Sequence, residues 1–213
     1  MKADIKDLLS RIRTLEDELE TKLAAHRRDL GYRIRRGRAV FSRSARARKA
    51  KLRIGLRRYL VDSGALAILT APFIYIVAIP LGLLDAIASL YQAVCFPVYR
   101  LHQVRRRDYV VFDRHRLPYL NAIQKLNCLY CGYANGVLAY VHEIASRTEQ
   151  YWCPIKHAKR LPGTHRRYGE FLEYGETEDY PESLEAQRKA LREETATDKT
   201  TGEEKEDNRN DQV

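Results

Sequence analysis

Between Gly64 and Tyr99 the chain almost lacks charge: 36 residues carry one formal charge, Asp85. A core helix of a soluble domain buries one stripe rather than its whole circumference, so a run this long argues against an ordinary soluble fold. Other absences narrow the reading further. The opening residues MKADIKDLLSRIRTLEDELE have no apolar core and no small-residue cleavage site, so a secretory signal is not expected. Lys2 stands where N-myristoylation needs glycine, and the final NDQV is not a prenylation box. The apolar run is therefore expected to act as an uncleaved targeting element. Nucleophile-elbow, P-loop and dinucleotide fingerprints are missing; Gly132 and Gly136 lack the neighbours for one. His142-Glu143 begins like a zincin motif, but Ser146 stands where a second histidine is required. No residue is assigned as catalytic or cofactor-binding, no internal repeat is visible, and whether the chain is an enzyme stays open.

What is present points to a bilayer. The apolar run exceeds the roughly 20 residues of one spanning helix and is short for two spans with a loop. At its middle lies Pro80-Leu81-Gly82, a residue that interrupts helices beside one that tolerates positive φ. Division there leaves arms at 64–79 and 83–98, each about 24 Å long at a helical rise of about 1.5 Å per residue. The expectation is a helical hairpin, with Asp85 next to its turn. Arg53, Arg57 and Arg58 precede the run, and Arg100, Arg105, Arg106 and Arg107 follow it. Both flanks then prefer the cytoplasmic side. That puts both termini in the cytoplasm of a bacterial-type inner membrane, with Arg53, Arg57, Arg58, Arg105, Arg106 and Arg107 at the membrane surface. The alternative is one helix, about Leu66–Leu84, followed by an interfacial amphipathic piece.

The formal net charge of +10 averages very unlike segments. Residues 27–58 hold 14 Lys or Arg against Asp29, whereas residues 170–213 hold 15 Asp or Glu against six Lys or Arg. Anionic headgroups explain the first block. Nucleic acid is the competing partner. The second block has the composition of a disordered, solvated tail.

The expected fold is mainly α. Residues 1–30 form an amphipathic or coiled-coil helix, with Ile5, Leu8, Ile12, Leu15, Leu19, Lys22 and His26 on a coiled-coil spacing. It offers self-association or a partner surface, or folds back on the rest of the chain. Residues 31–63 are a basic juxtamembrane segment, with 39–56 expected as a helix in the interface. Residues 64–99 are the membrane hairpin, 100–168 a small cytoplasmic domain and 169–213 the tail. Within that domain, 108–115 reads as a short strand, and a helix runs from Pro118 to Cys128. A turn spans 131–136, and a second helix starts near Asn135 and ends before Pro154. Tyr130, Tyr133, Tyr140, Tyr151 and Trp152 suit core packing and an interfacial belt, or line a quinone or lipid pocket.

Cys128-x2-Cys131 and Cys153-x3-His157 complete the reading. With a turn after the first pair and a returning helix, these four supply a closed Cys3His set, the kind structural zinc prefers. Iron is the alternative metal. Cys128 and Cys131 as a redox dithiol, or four residues with no metal at all, also satisfy the pattern. Cys95 reads as a small apolar filler. Three functions stay in view: a membrane-anchored scaffold or regulatory protein with a zinc clip, a membrane-bound redox or lipid-modifying enzyme, and a nucleic-acid tether.

Overall fold

The computed structural model describes residues 2–35, 38–176 and 180–210. The chain is mainly helical, 73 % helix with almost no strand. It forms two compact units, residues 1–62 with 113–126, and residues 63–112 with 127–213.

In the first unit, α1 (Lys2–Asp29) is one long helix whose Leu8, Ile12, Leu15 and Leu19 are each more than half exposed. It ends at Gly31, which turns the chain at φ +79°. Strands β1 (Tyr32–Arg35) and β2 (Arg38–Phe41) form an antiparallel hairpin that sets Tyr32 opposite Phe41. Helix α2 (Arg43–Ala50) follows, capped by Ser42, whose hydroxyl accepts the Ala45 N–H at 3.3 Å. The helix expected over 39–56 is thus a strand followed by a short helix. The cross-strand ring pair, with centroids 5.4 Å apart, and the Ser42 cap outweigh the amphipathic pattern there. Helix α3 (Leu56–Ser63) closes the stretch.

The second unit contains the apolar run as α4 (Ala65–Ile76) and α5 (Ala78–Tyr99), joined through Val77 in helical conformation. Pro80, Leu81 and Gly82 lie inside α5 and make no turn, which corrects the hairpin expectation. Proline clashes with the carbonyl four residues earlier, so the effect of Pro80 falls on Ile76 and Val77. That interruption bends a helix without reversing it. The connection after α5 holds one helical turn, α6 (Arg106–Tyr109), where a strand was expected. Then comes α7 (Ala122–Trp152), which begins among the residues of the first unit, and finally α8 (Tyr180–Asn210).

Two boundaries of α7 differ from expectation. It starts after Asn121 instead of at Pro118, because Asn121 and Gln124 form a reciprocal capping box with bonds of 3.0 and 2.9 Å. It also runs unbroken through residues 131–136, where a turn and a new helix were expected. The glycines there serve close approach. A β-carbon at Gly136 would meet the Tyr109 carbonyl oxygen and Val110 Cα at 2.8 Å, and one at Gly132 would meet the Val111 carbonyl oxygen at 3.2 Å.

α5 and α7 run parallel, joined rung by rung through tyrosines. Tyr133 bonds Asp85, Tyr140 bonds Ser89 and Gln92, and Tyr91 bonds Thr148, while Tyr75 of α4 extends the series by bonding Asn127. The Tyr99 and Tyr151 rings stack at 4.6 Å. Parallel helices need a return connection, and residues 101–112 supply it as a strap laid back along the pair. Arg100, left-handed at φ 60°, reverses the chain; the Leu101 N–H caps the Phe96 carbonyl at 2.8 Å. Leu101, Val104 and Val110 of the strap are buried, and with Ala88, Phe96, Tyr140, Ile144 and Leu191 the first two form the core.

The acidic end, expected as a disordered tail, is helix α8. Leu191 and Thr195 are fully buried, Arg188 donates to the Tyr151 carbonyl at 2.9 Å, and Gln187 donates to the Glu170 carbonyl at 2.8 Å. An apolar stripe within an acidic helix is enough to dock it.

Gly136→Ala is expected to cost about 2 kcal/mol, because the strap backbone must move away from an added methyl group. Gly82→Ala, whose β-carbon would sit at an ordinary 3.6 Å from Tyr133 Oη, is expected to be nearly neutral. Denaturant melts of the two variants beside wild type measure both.

Candidate functional site

The stretch Ala65–Tyr99 is long and apolar enough to cross a membrane, and only 6 % of its most apolar window is buried. No residue of α4 is buried. Leu66, Leu69, Phe73, Ile79, Leu83, Leu90 and Val98 are each more than 60 % exposed. Full burial of one such side chain is worth about 1.5–3 kcal/mol, so this surface calls for a cover. α5 differs from α4 in having one protein-facing side: Leu81, Asp85, Ala88, Gln92 and Phe96 are buried. On α7, the sequence from Leu126 to Val141 carries no charged residue, and this is the stretch beside residues 75–92.

Two polar devices hold the strap against these helices. Gln92, in the middle of the apolar run, donates to the Val104 carbonyl at 3.2 Å and accepts the Val104 N–H at 2.9 Å. One side chain thus satisfies both backbone groups of a buried residue. Asp85 takes a two-pronged ion pair from Arg106, at 2.9 Å from Nε and 2.6 Å from Nη2, plus the Tyr133 hydroxyl at 3.1 Å. Bonding to Asp85 raises the Arg106 pKa. Burial raises that of Tyr133, with Asp85 adding to it, so the phenol stays a donor.

A second network roots the end of the fold. Glu143 accepts from Arg147 at 2.8 Å and from Arg167 at 2.9 Å, and Arg167 also binds Glu194 of α8 at 2.8 Å. Arg147 reaches onward to the His102 carbonyl at 3.0 Å. Burial alone would raise the Glu143 carboxyl; Arg167 and then Arg147 outweigh it and hold the pKa below its ordinary value. Tyr109, buried near this carboxylate, is pushed up to about 12. Both oxygens of Glu143 are thus engaged by arginines.

The Cys/His set is not brought together. Cys128 and Cys131 lie one turn apart within α7, and Cys153 follows the end of the same helix, about 33 Å from Cys131 at helical rise. A tetrahedral zinc holds thiolates at about 2.3 Å, so these donors do not fit a single ion. His157 stacks on Tyr168 instead, with ring centroids 6.4 Å apart. Among the described residues no group of three or more His, Cys, Asp or Glu is placed to hold a metal. All four cysteines are free thiols. Of the membrane-surface arginines, Arg53, Arg57, Arg58 and Arg107 are exposed, Arg105 is half-buried, and Arg106 is bound to Asp85.

Sequence reasoning missed Gln92, Arg147, Arg167 and Glu194 as structural residues. For Gln92 a signal existed: Asp85 and Gln92 are seven residues apart, on one face of the helix. No protein-family model, curated protein or solved structure matches the chain.

The pH dependence of stability follows from Glu143. Unfolded, it takes up a proton at a higher pH than when folded, so its contribution is complete above the ordinary Glu pKa. That contribution is lost as pH falls from there through the depressed folded value. Glu143→Gln is expected to flatten this acid limb and cost about 3 kcal/mol at neutral pH, because Arg167 and Arg147 lose their partner. Melts at stepped pH test both effects.

Proposed function

We propose that the protein is a membrane-anchored scaffold, held by one apolar helix and presenting a packed helical surface to partners. The observation that carries this reading is the apolar surface of α4, where no residue is buried, continued on the outer side of α5. Residues 65–84 span about 30 Å, the thickness of a hydrocarbon core. Asp85, with Arg106 on it, marks where the polar part begins. The exposed arginines at 53, 57 and 58 suit anionic headgroups. One helix inserted in this way puts the two basic flanks on opposite faces of the bilayer. The hairpin alternative, N- and C-termini cytoplasmic, puts both on one face.

The exposed stripe of α1 supplies the partner surface, and the partner is a second copy held in the same membrane. In a parallel pair Arg11 faces Glu16 of the other helix, an attractive contact in both directions. Three heptads are weak alone, and confinement to a membrane raises their effective concentration. Neither a catalytic site nor zinc is part of this reading.

In alkaline-washed membranes the wild-type chain is expected to stay in the pellet and Leu69→Arg/Phe73→Arg to be released; wild type in the supernatant overturns the anchor. Protease cleavage of both flanks from one face would restore the hairpin. Crosslinking in the same membranes is expected to trap a dimer that Leu15→Asp reduces on the order of tenfold; an unchanged yield removes α1 as the contact.

A further inference from the structure

Residues 156–171, between α7 and α8, form a closed loop rather than a loose connection. Its neck is clamped where the Lys156 N–H donates to the Leu172 carbonyl at 2.8 Å and the Leu172 N–H to the Pro154 carbonyl at 2.9 Å. Compact loops of roughly 6–16 residues with joined ends are frequently functional. The body side of the loop is rooted. Arg167 is held between Glu143 and Glu194, and His165 Nε2 lies 3.0 Å from Glu149 Oε2. Tyr168 Oη accepts the His157 N–H at 2.7 Å, fixing one wall.

These contacts divide a basic cluster that looks uniform in sequence. Arg167 is consumed by structure. Lys159 and Arg160 are exposed and have no ion-pair or hydrogen-bond partner among the described residues. They line an open concavity of about 640 Å³ with Lys156, His157, Tyr168 and Glu173. Lys156 is paired with Glu173 at 2.7 Å. Three cations against one carboxylate leave a surplus of two positive charges around the concavity.

We propose that this loop is a binding site for a phosphate monoester, carried by a soluble small molecule or by a lipid headgroup. A monoester brings close to two negative charges near neutral pH, about −1.5 to −2, matching the surplus. The concavity falls within the range of about 300–1,000 Å³ common for ligand sites. Lys159 and Arg160 supply the charge, and the Tyr168 O–H, whose oxygen already accepts from the backbone, is free to donate. The clamped neck and the His157–Tyr168 bond fix the loop backbone before the ligand arrives, which limits the ordering cost of binding.

The test uses the full chain in detergent, titrated with inorganic phosphate against chloride at equal ionic strength and read as a shift in melting temperature. A saturable shift specific to phosphate is expected, with half-saturation on the order of tenfold higher in Lys159→Ala. In Lys159→Glu/Arg160→Glu the shift is expected to vanish, while circular dichroism stays that of wild type. Equal shifts with phosphate and chloride, or a double variant that binds like wild type, overturn the site. Vesicle co-sedimentation then separates the sources, comparing phosphatidic acid with phosphatidylserine in phosphatidylcholine at matched charge. Preference for phosphatidic acid that the double variant lacks identifies a headgroup; equal binding to both lipids with the phosphate shift intact identifies a soluble ligand. The detergent arm needs no bilayer, so its failure and the failure of the membrane anchor are read separately.

Discussion

Two helices that run parallel must be joined by a connection as long as the pair itself, and here that connection is pinned to the pair by its buried Leu101, Val104 and Val110. An extended segment between helices has no ladder partner, so its N–H and C=O groups must be met by side chains or cost several kcal/mol. Gln92 and Arg147 perform this service from α5 and α7 on the Val104 and His102 backbone, and Asp85 adds an ion pair to the Arg106 side chain. The glycines of α7 give the strap its space, and the tyrosines bond the two helices to each other. Without the strap, Gln92 would keep only Tyr140 and Asp85 only Tyr133. The polar residues within the apolar run are therefore part of the fold.

The same arrangement explains how one helix serves two surroundings. α5 shows its polar stripe to the strap and to α7, and the remainder of its circumference is apolar and uncovered. α4 has no buried residue, and it meets α7 through Tyr75, which bonds Asn127 and packs edge-on against Tyr130. The change comes near Val77, where Pro80 interrupts the hydrogen bonding of the preceding turn. Beyond α7, Glu143, Arg167 and Glu194 tie three segments distant in sequence, so α8 closes the fold despite its acidic composition.

Much of the helical content was legible in the sequence, because long periodic or apolar segments leave few alternatives. The uncharged run and the α1 stripe are such segments. The 131–136 region was not, since Gly132 and Gly136 read locally as a turn, and only the strap beside them shows that they serve close packing. Pro80 misled for a related reason: proline acts one turn before itself, and one interruption bends a helix without folding it back. The Cys/His spacing implied a site only if that turn existed; once α7 is continuous, the two pairs stand at different ends of it. The docking of α8 rests on Leu191 and Thr195 among many acids, a signal that composition averages away. The basic cluster after Pro154 was visible as charge, but its division into anchors and unpaired cations depends on which carboxylates lie across from each.

The parallel pairing also orders events during synthesis. Ser89 waits for Tyr140, 51 residues later, and Tyr91 waits for Thr148, 57 residues later. At about 5–20 residues per second, several seconds pass in which α5 exists without its partner. Until the strap emerges, Asp85 and Gln92 are uncompensated and disfavour the lower half of the run as a lipid-inserted segment, while the charge-free α4 meets no such opposition. The nascent chain thus distinguishes its charge-free helix from its packing helix before the tertiary structure exists, and the strap, emerging next, gives those side chains their first partners.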